Sequence, residues 1–335
     1  MATQETQQLD EIIVNTRRKM LTLGGTALAG LAFASLTKKA EAQSTINDND
    51  ILNFALNLEY LEAQFYNLAA FGVTIDKLPT PIPISVNGGT GGTVTLKPSF
   101  AAVPFSSPLV KAYAQETAVE EGKHVLLLQS ALGTNAVSMP NIDLYNSFNT
   151  LGNGALGINF DPFAANGTVL TADQAFLIGA YIFEDVGVSA YHGAAGSITN
   201  KTGVLAPAVA IHAVEAYHAG LIRTTINALD AGTGALNGIT QKISAFRSML
   251  ANPSGASSTT FTGTKADDIG VGTTTVALNG SAGSYTASTI VDSDSNSLGW
   301  ARTPSQILAI VTGTSPTAST HQGVFYPAGL NGTIK

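Results

Sequence analysis

No cysteine occurs anywhere in the 335 residues. That absence removes disulfides, thiolate metal sites and cysteine nucleophiles together, and leaves histidine and the carboxylates as the strong metal ligands. Charge is scarce too: Asp, Glu, Lys and Arg make up 12% of the chain against 44% apolar residues. A disordered chain has the opposite balance, so most of this one is expected to pack. The formal net charge of −7 argues against nucleic acid and anionic membrane surfaces as partners. Past residue 42 no run of about 18 uninterrupted apolar residues is found, so no membrane span is expected in the mature chain.

The N-terminus reads as an address. Thr16-Arg17-Arg18-Lys19 precedes an apolar stretch from Leu21 to Leu36, and the small-x-small triplet Ala40-Glu41-Ala42 follows it. A charged start, a short apolar segment and an Ala-x-Ala end describe a secretory signal, and the Arg17-Arg18 pair fits its twin-arginine variant. Residues 1–42 are therefore expected to direct export to the periplasm, the cell surface or beyond, and to be removed.

Four long helical segments follow, bracketed by start and stop signals. The first runs from Asp50 to Phe71, with Asp48 or Asp50 as cap and Gly72 as stop. The second starts at Ser107-Pro108 and ends at Gly133; the third opens with the Thr171-Ala172-Asp173-Gln174 capping box and reaches Gly196. The fourth spans Pro207 to Gly232, and a shorter fifth is expected from Thr240 to Asn252, where Ile243, Phe246 and Leu250 recur at helical spacing. A proline- and glycine-rich insertion at 78–105, with a β-prone stretch at Thr93 to Leu96, separates the first two. An irregular segment with Gly152, Gly154 and Gly157 joins the second and third. The fold class expected is mainly α: an antiparallel four-helix bundle over 47–252. Residues 253–335, rich in Ser, Thr and Gly, read as a β-rich or irregular extension packed on it, with short strands and a helix near 304–312.

Chemistry concentrates inside the helices. The first is apolar nearly all round, yet Glu59 and Glu62 sit in its middle; the third places Glu184-Asp185 in the same setting. A buried carboxylate is costly without a cation, a metal or a proton, and Lys and Arg are nearly absent from both helices. The second helix carries Glu121-Gly122-Lys123-His124 and the fourth Glu215-Ala216-Tyr217-His218. Residues three apart share a helix face, so each pair can reach one ion. A Glu from each of two helices plus a Glu-x-x-His pair from each of two others is the donor set of two-metal carboxylate bundles. The expected ligands are Glu59, Glu121, His124, Glu184, Glu215 and His218, with Glu121 and Glu215 bridging. Neutral imidazole and anionic carboxylate suit two iron or manganese ions.

The two halves echo each other: Glu59 is followed seven residues later by Tyr66, and Glu184 by Tyr191. The chain is thus read as two helical hairpins related by a pseudo-twofold. Glu62 and Glu120 are alternatives to Glu59 and Glu121. Tyr66 and Tyr191 are either hydrogen-bond donors to ligand carboxylates or core aromatics. Glu116 and Glu120 near Lys123 read as a solvated face, His192 and His212 as structural, and His321 as an exposed loop residue. Asp292-Ser293-Asp294-Ser295-Asn296 opens like a calcium loop but lacks the glycine and the distal glutamate, and Gly88-Gly89-Thr90-Gly91-Gly92 reads as a turn.

On these residues the chain resembles the ferritin-like superfamily, in the branch of exported ferritin-like proteins related to plant desiccation-related proteins. Leu56-Asn57-Leu58-Glu59-Tyr60-Leu61-Glu62-Ala63-Gln64-Phe65-Tyr66, the two Glu-x-x-His pairs and the run Ala301-Arg302-Thr303-Pro304-Ser305-Gln306 carry the likeness. It implies a two-metal iron or manganese centre with oxygen, peroxide or Fe(II) as small-molecule partners, in ferroxidase, peroxidase or catalase-like chemistry under oxidative or desiccation stress. Monomers and small homo-oligomers both fit. The competing reading is a non-catalytic, stress-protective surface protein whose metals tie helices together.

Overall fold

The computed structural model describes residues 46–253, 267–277, 284–294 and 296–335; the expected signal at 1–42 lies outside them. Helix α1 spans Asp48–Phe71. Its cap is Asn47, whose side chain accepts from the Asp50 backbone while the Asp50 carboxylate accepts from Asn47 N–H. The cap thus precedes the expected Asp48, because this reciprocal pair satisfies two amides that a helix start leaves open. Strand β1 (Val94–Thr95) lies in the insertion, and α2 (Pro108–Leu132) starts under Ser107 with proline in its first turn. Strand β2 (Ile142–Asp143) pairs with β1 in parallel, Val94 opposite Ile142.

Helix α3 (Asn146–Leu156) occupies the segment expected to be irregular. Helix α4 (Ala172–Ala195) begins at the Thr171–Gln174 capping box. After a π-turn at Lys201–Leu205 comes α5 (Ala206–Asp230), and then α6 (Ala235–Ala251), which starts five residues earlier than its apolar spacing indicated. Asp230 explains the early start: its carboxylate accepts from the Gly234, Leu236 and Asn237 amides and holds the turn that launches α6. The extension supplies an antiparallel hairpin, β3 (Gly272–Ala277) with β4 (Ser284–Thr289), and helix α7 (Pro304–Thr312).

Cross-helix contacts fix the bundle topology. Between α1 and α2, Asn67 reaches the Ala118 carbonyl, Tyr60 meets Gln129, and Asn53 meets the Asn135 carbonyl just past α2, so the pair runs antiparallel. Helices α4 and α5 do likewise, with His192 beside His212 and Tyr181 bonded to Arg223. The hairpins join along α1 and α4, also antiparallel: Tyr66 bonds Glu184 and Tyr191 bonds Glu59. By length and composition alone Lys201–Asp230 could cross a membrane. In the bundle that helix buries Glu215, His218 and Arg223 against its neighbours.

The core continues into the extension. Phe325 packs its ring 4.9 Å from Phe183 and 5.2 Å from Phe148, and the Tyr326 hydroxyl donates to the Asn57 carbonyl. Fully burying one such side chain stabilises by roughly 1.5–3 kcal/mol, so the last thirty or so residues belong to the bundle's core energetics. His321, expected to be exposed, is buried and hydrogen-bonded to the Thr314 hydroxyl at 2.6 Å, because the loop folds back over α7.

Candidate metal centre

The six expected ligand side chains meet midway along the bundle, one from α1, two from α2, one from α4 and two from α5. All six are buried. Donor atoms of Glu59, Glu121, His124 and Glu215 lie within 4.8 Å of one another, and so do those of Glu121, Glu184, Glu215 and His218. Glu121 and Glu215 belong to both groups, the places expected of bridging ligands. His124 Nδ1 stands 3.2 Å from Glu59 Oε2, 3.3 Å from Glu121 Oε2 and 3.2 Å from Glu215 Oε1. His218 Nδ1 stands 2.9 Å from Glu121 Oε1 and 3.6 Å from Glu184 Oε2. Neighbouring donors on one divalent ion at about 2.1 Å are about 3 Å apart, so the set is spaced for ions.

Hydrogen bonding does not account for this set. Glu59 Oε2, Glu121 Oε1, Glu184 Oε2, both Glu215 oxygens and His218 Nδ1 are buried without a hydrogen-bond partner. A buried polar atom left unmade costs about 1–3 kcal/mol, and these are aimed at one another. Two divalent ions would satisfy them, and four carboxylates with two neutral imidazoles would balance the ions' charge. The residues present therefore fit the metal pair.

Metal-free electrostatics show the same excess of acid. Burial, against the pull of His124, pushes Glu59 up to about 7. Burial, then the neighbouring carboxylates, pushes Glu62 and Glu215 well above the usual carboxylate range, and burial also raises Glu184. Glu121 is the exception: burial alone would raise it, but the imidazoles of His124 and His218 at ion-pair distance outweigh that and hold it at about 2. Burial would lower both imidazoles, yet the surrounding carboxylates, Glu59 on His124 and Glu184 on His218 foremost, keep them protonated. Without metal the site stores protons, which a bound metal pair would release.

Tyr66 on the first hairpin donates to Glu184 on the second, and Tyr191 on the second donates to Glu59 on the first. Of the two readings left open for these tyrosines, the donor role is the one the structure shows. Burial and the adjacent carboxylates raise both phenols well above their ordinary value, so each keeps its proton and donates it.

Two carboxylates break the internal twofold. Glu62 lies three residues after Glu59, and the matching place after Glu184 is Gly187. A Cβ at Gly187 would stand 2.7 Å from Glu215 Oε2 and 3.3 Å from Glu62 Oε1, so the glycine makes room for both carboxylates. Glu62 is beside the centre but outside both donor groups. Glu120 precedes Glu121, and the matching residue before Glu215 is Val214. Glu120 is no freely solvated side chain: it is 34% exposed, and its Oε2 accepts from His218 Nε2 at 2.7 Å, which turns Nδ1 toward the carboxylates. His192 stays outside the centre, its Nδ1 3.0 Å from the Trp300 carbonyl, with His212 beside it. Asp294 of the calcium-like loop accepts the Asn296 and Leu298 amides; Ser295 lies outside the described residues.

A buried ionic network behind the centre went unread in the sequence. Asp185 pairs with Arg223 and Arg247, both at 2.8 Å; Asp268 pairs with Arg247 at 2.7 Å and Arg302 at 2.9 Å. An ordinary salt bridge is therefore the answer for Asp185, supplied by Arg223 on its hairpin partner α5 and by Arg247 on α6. The signal available was three arginines in otherwise apolar surroundings, but nothing in their spacing names their partners.

The model of a family described as ferritin-like domain matches residues 47–228. A desiccation-related protein of Craterostigma plantagineum is 33% identical over 153 residues, 44% of this chain and 43% of that protein. The chain thus aligns with less than half the length of the curated relative it matches. No solved structure matches.

Proposed function

The chain belongs to the ferritin-like domain family, and from that premise we propose that it is an exported two-metal carboxylate protein that handles oxidants or oxidises metal under stress. The observation that carries the reading is the cluster of buried carboxylate oxygens without hydrogen-bond partners, drawn from four helices onto two overlapping donor groups. Glu59, Glu121, Glu215 and His124 would hold one ion, and Glu184, Glu121, Glu215 and His218 the other, iron or manganese by the donor chemistry. Such a pair supplies two electrons, one per ion, enough with two protons to take peroxide to two waters. The protein's own part is positioning: Tyr66 and Tyr191 orient the terminal carboxylates across the hairpins, Glu120 orients His218, and the apolar helices exclude bulk water. Glu120, at the partly open edge, is where polar species and Fe(II) approach. The arginine pair at 17–18 supports export, and the name of the plant relative supports a role in drying.

A second reading makes the metals structural, because each half of the donor set comes from a different hairpin and an ion pair would pin the two together. One experiment separates them. Elemental analysis of protein purified from its native compartment should find close to two ions per chain, lost in the Glu121→Ala/Glu215→Ala double variant. Turnover of peroxide or Fe(II) then selects the redox role, and bound metal without turnover the structural one. Native protein without metal sinks both.

A further inference from the structure

One cavity touches the carboxylate cluster without belonging to it. It lies among α1, α3, α4 and α6, with α7 and Phe325 at its end, and offers about 40 Å³ for the centre of a water-sized sphere. One water needs about 10–15 Å³ on that measure, so the space takes a small molecule of two or three heavy atoms. Its wall is built from side chains such as Leu58, Leu61, Leu151, Ile182 and Phe183. The charged groups in the wall are Glu62 and Arg247. Arg247 is already committed to Asp185, Asp268 and the Tyr181 carbonyl. A water inside would find the Glu62 carboxyl and little else, short of the 2–4 polar partners that hold a buried water.

The cavity meets the centre at Glu62 and Gly187, the positions where the internal twofold is broken. Glu62 and Gly187 both line it, and the space that a Cβ on Gly187 would fill is bounded by Glu62 Oε1 and the bridging-position Glu215 Oε2. The same two positions that depart from internal symmetry thus connect an apolar chamber to the donor cluster. The edge at Glu120 and His218 is polar, with Glu120 partly exposed and His218 buried.

We propose that this chamber is a binding site for a small apolar molecule, dioxygen, which reaches the metal pair from the Glu62 side. The assignment rests on the reading of the centre as an oxidising pair and narrows it to an oxidant. Hydrogen peroxide would shed its hydrogen bonds in this wall at a cost of several kcal/mol, whereas dioxygen has none to lose. The two oxidants accordingly take different approaches, apolar at Glu62 and polar at Glu120.

Crystals of the full protein held under xenon test the site directly, with or without metal. A xenon atom between Leu61, Ile182 and Glu62 is expected, and Ala155→Phe, at the chamber wall on α3, should abolish it. Ala155→Leu, a smaller plug, serves if the phenylalanine variant does not fold. In iron-loaded protein either plug should slow Fe(II) oxidation by dioxygen about tenfold, a barrier increment of about 1.4 kcal/mol. Oxidation by peroxide and the metal content should not change. An empty or water-filled chamber under xenon overturns the binding site; equal slowing with both oxidants overturns the delivery role. If the chain holds no metal, the delivery role falls with the oxidising reading, and the xenon position still decides whether the chamber binds apolar molecules.

Discussion

Glu184 and Asp185 are neighbours on α4, both buried, and they serve two centres built on opposite principles. Glu184 points into a cluster where five carboxylates face two imidazoles and several oxygens find no partner. Asp185 points the other way, into a network where Arg223, Arg247 and Arg302 meet Asp185, Asp267 and Asp268 at ion-pair distance. Both regions bury charge at a similar depth. One resolves it with permanent countercharges that also tie α4, α5, α6 and the extension together; the other leaves buried oxygens without hydrogen-bond partners. On the function proposed above, the second arrangement is kept for the metal pair at a cost in metal-free stability.

Substituting the two neighbours separately is the sharpest way to break that contrast. Asp185→Asn strips the network of a charge shared by two arginines and should cost about 3–5 kcal/mol of unfolding free energy, measured by denaturant titration of metal-loaded protein, while metal content stays at its original level. Glu184→Gln should do the reverse: neutral or slightly stabilising in the metal-free protein, with one of the two ions lost by elemental analysis. If both substitutions destabilise alike and neither moves the metal, the distinction between the regions is wrong.

pH probes the difference next. Glu59 in the metal-free fold titrates at about 7 against an ordinary 4.5, and Glu62, Glu184 and Glu215 shift the same way. A raised carboxyl binds its proton more tightly in the folded state, so the associated stability is present below about 4.5 and is lost as pH rises through 7. The imidazoles, also raised, act in the same direction; Glu121, lowered to about 2, acts oppositely but only at far lower pH. Metal-free protein should therefore show a melting temperature that falls between pH 5 and pH 8, by an amount corresponding to about 3 kcal/mol for Glu59 alone. Metal-loaded protein, whose site holds ions instead of protons, should not show that fall. A flat profile in the metal-free form would mean that the cluster is not holding protons.

Smaller effects sharpen the picture inside the centre. Glu120→Gln keeps the shape but weakens the hold on His218 Nε2, and Tyr191→Phe removes the donor to Glu59. Each should weaken metal binding about 10- to 100-fold, read by competition with a chelator. Only one of the two ions should be affected in each case: the His218 side for Glu120 and the Glu59 side for Tyr191. Equal weakening of both ions would argue that the positions are not independent.

What could be read without coordinates follows from local rules. Helix starts at Ser107, Thr171 and Thr303 were visible because caps and prolines act within one turn. The clustering of the six candidate donors was visible because three-residue spacing on a helix is itself a geometric statement, and because two copies of Glu-x-x-His stood in apolar surroundings. Helix α3 was missed because Gly152 and Gly154 speak against a helix. There the bare glycines admit the side chains of Phe160 and Phe246, a gain that only packing reveals. The arginine network was missed for a related reason: Arg302 meets Ser189, Asp267 and Asp268, up to 113 residues away, and no periodicity links them.

The chain's own order of residues thus determined that four amphipathic-to-buried helices would form, and which carboxylates and imidazoles would sit on their inner faces, since both depend on contacts within a few turns. Tertiary structure alone decided that Tyr66 and Tyr191 reach across to each other's hairpins, that Asp185 turns from the centre to the arginines, and that Gly187 opens a chamber beside Glu62. Those outcomes depend on how closely separate helices approach, and that distance is set by the fit of all their side chains at once.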